Sequence, residues 1–229
     1  MKLNEIVNVP QDQFLTDNMR IHAWLKENIH DYNKLKYTID PTTSVVDVQQ
    51  GSILLSNKMD KLPIKFGTVN GTVYMLPEVD IKSLYGCPYI ITNGRFDVHQ
   101  NTSLKSFIGG PAIVHGNVDF EVCANVSSLE GIPKEIHGYL NIAHTDITSL
   151  HNIHKHIKLI NGDMTISDIT DSICGVFLIR KLMKIRCQTQ NTRLLNAIEI
   201  VNKHLTGDRS GPNCQVELQD AGLSEFAKL

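Results

Sequence analysis

The chain has 229 residues, 24 acidic against 22 basic side chains, a formal net charge of −2 and a pI near 6.5. That balance excludes a global electrostatic pull toward nucleic acid or anionic lipid, and 41% hydrophobic with 20% charged residues excludes a disordered chain. No apolar run approaches the ~18 residues of a membrane span, no signal peptide is expected at the start, and five irregularly spaced cysteines read as reduced thiols.

The first predicted element is a helix behind a Thr16/Asp17 cap, with Ile21, Trp24, Leu25 and Ile29 at helical spacing. A repeat follows. Glycine recurs at Gly51, Gly71, Gly94, Gly116, Gly138 and Gly162, with spacings of 20, 23, 22, 22 and 24 residues, the range of a solenoid. After each glycine the chain alternates with period two, so each segment reads as a short strand with one buried face. Positions +2 and +4 from the glycine are apolar throughout: Ile53 and Leu55, Val73 and Met75, Phe96 and Val98, Val118 and Phe120, Leu140 and Ile142, Met164 and Ile166.

A second landmark lies half a repeat earlier. Ser83-Leu84-Tyr85-Gly86-Cys87-Pro88 matches Ser106-Phe107-Ile108-Gly109-Gly110-Pro111 and Ser128-Leu129-Glu130-Gly131-Ile132-Pro133, while Ser149-Leu150-His151-Asn152 keeps the frame without Gly or Pro. Glycine near proline is turn chemistry, because one permits positive φ and the other fixes its own. Each repeat is therefore strand, turn, apolar anchor, turn and return, and one unit buries its face only by stacking on the next. Behind the repeats, Leu194, Leu195, Ile198, Val201 and Leu205 form a helical stripe ending at Gly207, and a last helix is expected from Asn213 to Gly222. The expected fold is a mainly β repeat solenoid of short parallel strands with a period of roughly 22 residues. Residues 1–43 are expected to form an N-terminal helical cap, 44–171 the solenoid and 172–229 a C-terminal helical cap. The alternative is an independent helical C-terminal domain of about 55 residues.

These landmarks resemble the leucine-rich-repeat-like proteins of tailed bacteriophages. Those proteins open on a helix with a Trp-Leu pair, here Trp24-Leu25, and enter the repeats through a segment like Lys61-Leu62-Pro63-Ile64-Lys65-Phe66-Gly67. Their repeats are built on Ser-Leu-x-Gly-x-Pro, apolar-x-Gly and an alternating strand, and the stretch Cys214–Leu223 with Phe226-Ala227 is similar to their closing helix. This chain departs from the commoner pattern in lacking most Cys-x-Asn strand endings and the proline of the last repeat. The resemblance implies a leucine-rich-repeat-like architecture in a phage protein, with no agreed catalytic motif and no cofactor.

Stacking would turn repeat positions into ladders with rungs about 4.8 Å apart. Outward position +3 then reads Leu54, Tyr74, Asp97, Asp119, Asn141, Thr165; position +1 includes Arg95 and Tyr139, and position +5 includes His99 and Glu121. The candidate binding patch is Tyr74, Arg95, Asp97, His99, Asp119, Glu121, Tyr139 and Asn141. Adjacent like charges destabilise a sheet and raise one carboxyl pKa, so Asp97 beside Asp119 stands out. The patch reads either as a solvated face eased by Arg95 and His99, as a surface for a basic partner, or as a carboxylate pair acting on a saccharide.

Other features read as structural. His115 and His137 occupy the slot before glycine where Asn70, Asn93 and Asn161 stand elsewhere, and turn geometry favours both residue types. His144, His151, His154 and His156 gather in the last repeat, with His154 and His156 on one side of an extended segment, but no metal-ligand spacing is completed. Arg180, Lys181, Lys184 and Arg186 form a basic run interleaved with apolar residues, as a capping element would be, and lack the aromatic platforms that grip single strands. Gly207–Pro212 lacks the lysine of a phosphate-binding loop. The expectation is a non-enzymatic phage solenoid in the host cytoplasm that engages and modulates a host or phage protein, with no membrane, nucleic-acid, metal or cofactor partner. A virion-associated structural protein and a glycan-active enzyme are the alternatives.

Overall fold

A computed structural model of the chain describes residues 14–228, in which the repeats coil into two facing sheets of seven strands each. Strands β1 (Lys36–Ile39), β2 (Val45–Gln50), β4 (Lys65–Asn70), β6 (Ile90–Thr92), β8 (Ile113–Val114), β10 (Glu135–Ile136) and β12 (Leu159–Ile160) make the first sheet. The second contains β3 (Ile53–Leu55), β5 (Val73–Met75), β7 (Phe96–Asp97), β9 (Val118–Asp119), β11 (Leu140–Asn141), β13 (Met164–Ile166) and β14 (Ile185–Cys187). All pairings between named strands are parallel except β1 with β2. This is the expected parallel solenoid, and all twelve residues at +2 and +4 are buried. The return path of each repeat is itself a strand of the first sheet. From β8 to β12 those strands are only two residues long, too short to show a period of two.

The core runs between the sheets. Phe120 lies edge-on to Phe96, with ring centroids 5.7 Å apart, and 4.2 Å from the ring of Phe107, the apolar anchor of its repeat. Anchors Leu84, Leu129 and Leu150 are buried with it. At Gly94, Gly116, Gly138 and Gly162 the glycine before the strand of the second sheet is explained by close approach, whereas Gly51 and Gly71 also have positive φ. A Cβ on Gly116, which has no left-handed backbone, would sit 2.1 Å from the carbonyl oxygen of Gly94. Positive φ also occurs at the Ser-Leu-x-Gly turns, at Gly86, Gly109 and Gly131, and Asn152 (φ +57) takes the glycine position of the last repeat, as asparagine tolerates. Strand exits use non-glycine left-handed residues at Gln100, Val122 and His144.

Both ends of the second sheet are covered against edge pairing. Helix α1 (Asn18–Asn28) is capped by the Asp17 carboxylate, which accepts from the Met19 and Arg20 amides at 2.8 and 3.1 Å, and it buries Ile21 and Leu25. The residue after it, Ile29, bridges antiparallel to Leu55 over the first rung. After the single turn α2 (Ile153–His156), the sheet continues into β14, beyond the residue-171 boundary expected for the solenoid. Helix α3 (Thr192–Thr206) then covers β14, and the Asn202 amide stands in for the next strand: Nδ2 donates to the Ile185 carbonyl and Oδ1 accepts its N–H, both at 2.8 Å. Helix α4 (Gly211–Asp220) starts at the Ser210 cap. Leu194, Ile198, Val201, Cys214 and Leu218 belong to the same buried cluster as the solenoid, so the helices cap it and do not form a separate core.

A charged clamp joins the two helices. Buried His204 on α3 faces Asp208 Oδ1 through Nδ1 and Glu217 Oε2 through Nε2, both at 2.9 Å, and Lys203 Nζ reaches both Glu217 oxygens at 2.8 and 2.7 Å. Only the imidazolium donates from both nitrogens. Burial alone would lower the His204 pKa, but hydrogen bonds to Asp208 and Glu217 outweigh it and raise the value. Hydrogen bonds to Lys203 and His204 lower that of Glu217, and chiefly the bond to His204 lowers that of Asp208. The stabilisation from His204 is complete below the unfolded histidine value near 6.5 and is lost as pH rises through the higher folded value. That from the carboxylates is present above their unfolded values and is lost as pH falls. The melting temperature is therefore expected to fall between about pH 6 and 9 more steeply in the wild type than in His204→Gln. Parallel curves in a thermal melt series contradict the clamp.

Candidate functional site

The candidate patch lies on the second sheet, where strand register aligns Leu54, Tyr74, Asp97, Asp119, Asn141, Thr165 and Arg186 in one column. The structure brings the predicted residues together, with a different local reason for the carboxylates. Asp119 Oδ1 accepts from the Glu121 amide at 2.9 Å, Asp97 Oδ1 from the His99 amide at 3.3 Å and Asn141 Oδ1 from the Ala143 amide at 3.1 Å. Position +3 thus closes the same side-chain-to-backbone turn at successive rungs, which Asp and Asn make readily.

Asp97 was expected to face outward with the rest of position +3. It is instead only 4% exposed, and Asn141 is 9% exposed. The turn folds each side chain back on its own strand, and for Asp97 the neighbours complete the cover. Arg95 Nη2 lies 3.3 Å from Asp97 Oδ2, and His99 Nδ1 lies 2.7 Å from Oδ1. The His99 ring stacks on Tyr74 with centroids 5.6 Å apart and planes at 22°. Arg95 sits over the same tyrosine, 5.5 Å from its centroid. Tyr74, Arg95, Asp97 and His99 are therefore one interlocked unit in which the carboxylate is compensated.

Asp119 and Glu121 differ. Neither is in an ion pair among the described residues. Burial raises the Asp119 pKa, opposed by the Glu121 amide and reinforced by the charges of Asp97 and Glu121. Tyr139 stands on the next rung, 36% exposed, and its phenol is pushed up first by burial and then by the Asp119 charge. The patch is thus a strip: a compensated half at Tyr74–His99, an uncompensated acidic half at Asp119 and Glu121, and an exposed tyrosine at its edge.

The remaining candidates separate from this strip. His115 and His137 do not have the left-handed backbone that their slot suggested; of that column only Asn93 does (φ +52). Their rings pack on each other with centroids 4.6 Å apart, continuing a ladder in which Asn93 Nδ2 donates to Asn70 Oδ1 at 2.8 Å. His154 and His156 lie on the helical turn α2, not on an extended segment. Among the described residues no group of three His, Cys, Asp or Glu side chains is placed to hold a metal ion. In the basic run, Arg186 pairs with Asp163 at 2.7 Å and Arg180 with Glu135 at 4.0 Å, so two of its four charges are engaged within the solenoid. Gly207 ends α3 and Ser210 caps α4, which accounts for the glycine-rich link.

Sequence reasoning missed Asn101. Fully buried, its Nδ2 donates to the Met75 and Val98 carbonyls at 3.2 Å and to His99 at 3.3 Å, while Oδ1 accepts from the Ile81 amide at 3.1 Å. The signal was a small or polar side chain seven residues after the glycine in successive repeats, at Asn101, Cys123 and Thr145. The latter two also donate to strand-end carbonyls, of Val98 at 3.3 Å and of Ile142 at 2.8 Å. No described helix is long and apolar enough to cross a membrane. Comparison with protein-family models, curated proteins and solved structures finds no match to this chain.

Proposed function

We propose that the chain is a non-enzymatic protein-binding solenoid of a phage, engaging and modulating a host protein through the strip around Asp119. The observation that carries this reading is the pair of uncompensated carboxylates, Asp119 and Glu121, flanked by Tyr139 on a sheet whose rungs repeat at about 4.8 Å. A rigid sheet presents such side chains with little ordering cost on binding. Carboxylates without an internal cation favour a partner surface bearing lysine or arginine, and an exposed tyrosine adds contact area of the kind that anchors interfaces. The phage setting rests on the resemblance carried by the Ser-Leu-x-Gly-x-Pro repeats.

The test is affinity capture of the tagged full chain from infected cells. One host protein is expected in stoichiometric amount, and its recovery is expected to drop with the Asp119→Lys/Glu121→Lys variant. Capture of no stoichiometric partner overturns the proposal.

One observation favours a second reading, the glycan-active enzyme. Asp119 has a raised pKa one rung from Asp97, as a proton-donating carboxyl beside a second carboxylate requires. Against it, Asp97 is already engaged by Arg95 and His99. Turnover of any saccharide that survives Asp97→Asn and Asp119→Asn unchanged removes this reading.

A further inference from the structure

The stack builds an Asn-Gly pair three times. Close approach to the preceding rung requires glycine at Gly71, Gly94 and Gly162, and the slot before each is asparagine: Asn70, Asn93 and Asn161. Such a pair can close on itself, because glycine has no side chain to keep its backbone nitrogen from the asparagine Cγ. The three pairs are not equally free to do so. Asn70 Nδ2 donates to the Gln49 carbonyl and Asn93 Nδ2 to Asn70 Oδ1, both at 2.8 Å, and the Gly71 amide donates to the Thr92 carbonyl at 2.8 Å. Asn161 has no such support. In register one rung before it stands His137, whose ring packs on His115 and lies 3.8 Å from Glu135. Asn161 is exposed, and among the described residues neither its side-chain amide nor the Gly162 N–H makes a hydrogen bond. We propose that Asn161 is a modification site, which loses its side-chain amide to attack by the Gly162 nitrogen and becomes aspartate and isoaspartate.

The Gly162 nitrogen gives its proton to solvent and bonds to Asn161 Cγ. The Cγ–Nδ2 bond breaks, and Nδ2 takes up a proton and leaves as ammonia, so a cyclic imide remains. Water then adds to one of the two imide carbonyls. Breaking the bond between Cγ and the Gly162 nitrogen restores the backbone and leaves aspartate. Breaking the bond between the Asn161 carbonyl carbon and that nitrogen routes the backbone through Cβ and Cγ, which is isoaspartate. Each conversion consumes one water and releases one ammonia, with no change of oxidation state. Aspartate sets a carboxylate one rung from exposed His137. Isoaspartate lengthens the link between β12 and β13, at a rung where even a Cβ on Gly162 would lie 2.9 Å from the Gly138 carbonyl oxygen. The isoaspartate form is therefore expected to melt below the aspartate form. This chemistry needs no partner protein.

The experiment incubates the purified full chain in mildly alkaline buffer, beside a sample unfolded in urea, and follows peptide maps that resolve asparagine, aspartate and isoaspartate. In the folded chain Asn161 is expected to convert at least about ten-fold faster than Asn70 and Asn93, whose hydrogen bonds must break first. In urea the three rates are expected to converge. His137→Asn, which gives Asn161 the neighbour that Asn93 has, is expected to slow conversion in the folded chain, and Asn161→Gln to abolish it at that position. Equal rates at the three pairs of the folded chain, or faster conversion at Asn70 or Asn93, overturn the proposal. So does an Asn161 that stays intact in the folded chain after the urea sample has converted.

Discussion

Replacing Gly116 with alanine is expected to cost more than about 4 kcal/mol and to unfold much of the stack at ambient temperature. The added Cβ would lie 2.1 Å from the Gly94 carbonyl oxygen and 2.9 Å from its carbon, both backbone atoms that cannot step aside without moving a rung. Gly94 is fixed in turn, since a Cβ there would meet the Gly71 carbonyl at 2.2 Å. Every coil is therefore spaced by the one before it, and a shift at one coil propagates along the column. Gly222 is the control. It has a positive φ of +71° but nothing within 4 Å of the Cβ position, so Gly222→Ala is expected to cost only about 1–2 kcal/mol, the strain of a left-handed alanine. Denaturant unfolding of both variants separates the two causes. Equal losses in the two contradict the role given to close backbone approach.

Asn101→Leu is expected to destabilise the protein by about 3–5 kcal/mol, although it adds apolar surface to a buried site. The amide serves carbonyls from two rungs and the Ile81 N–H at once. A leucine leaves those groups without water or partner, and each orphaned buried group costs about 1–3 kcal/mol. Asn101→Asp removes the donors while keeping the acceptor toward Ile81, and places a carboxylate against carbonyl oxygens, so it is expected to be no better tolerated. A neutral or stabilising effect of Asn101→Leu in equilibrium unfolding contradicts the bridging role. Asn101, four residues after Asp97 in the same coil, thus belongs to the frame that ties the Asp97 rung to the Met75 rung before it.

The second sheet was readable from sequence because its glycines and its apolar +2 and +4 positions repeat in register. Once aligned, Asp97 and Asp119 could be named as neighbours. The first sheet was not readable in the same way, since Ile113–Val114 or Glu135–Ile136 alone carries no alternation. Strand β14 escaped because Met183, not glycine, occupies the slot in register with Gly162. The burial of Asp97 was hidden for another reason. It depends on Tyr74, Arg95 and His99 folding over one carboxylate, a property of contacts between rungs and not of any one repeat. The repeated turn at Asp97, Asp119 and Asn141 also removes the puzzle of adjacent acids, because each serves its own backbone first. What survives as a candidate surface is narrower than the eight residues first chosen. It centres on Asp119, Glu121 and Tyr139.

The decisive measurement is the affinity of the captured protein for the wild-type chain and for Asp119→Lys/Glu121→Lys, at low and at physiological salt, with circular dichroism to establish that both chains are folded. Charge recognition at this strip predicts at least about a ten-fold weaker Kd for the variant and a wild-type affinity that falls as salt rises. Equal affinities for two folded chains, independent of salt, contradict it.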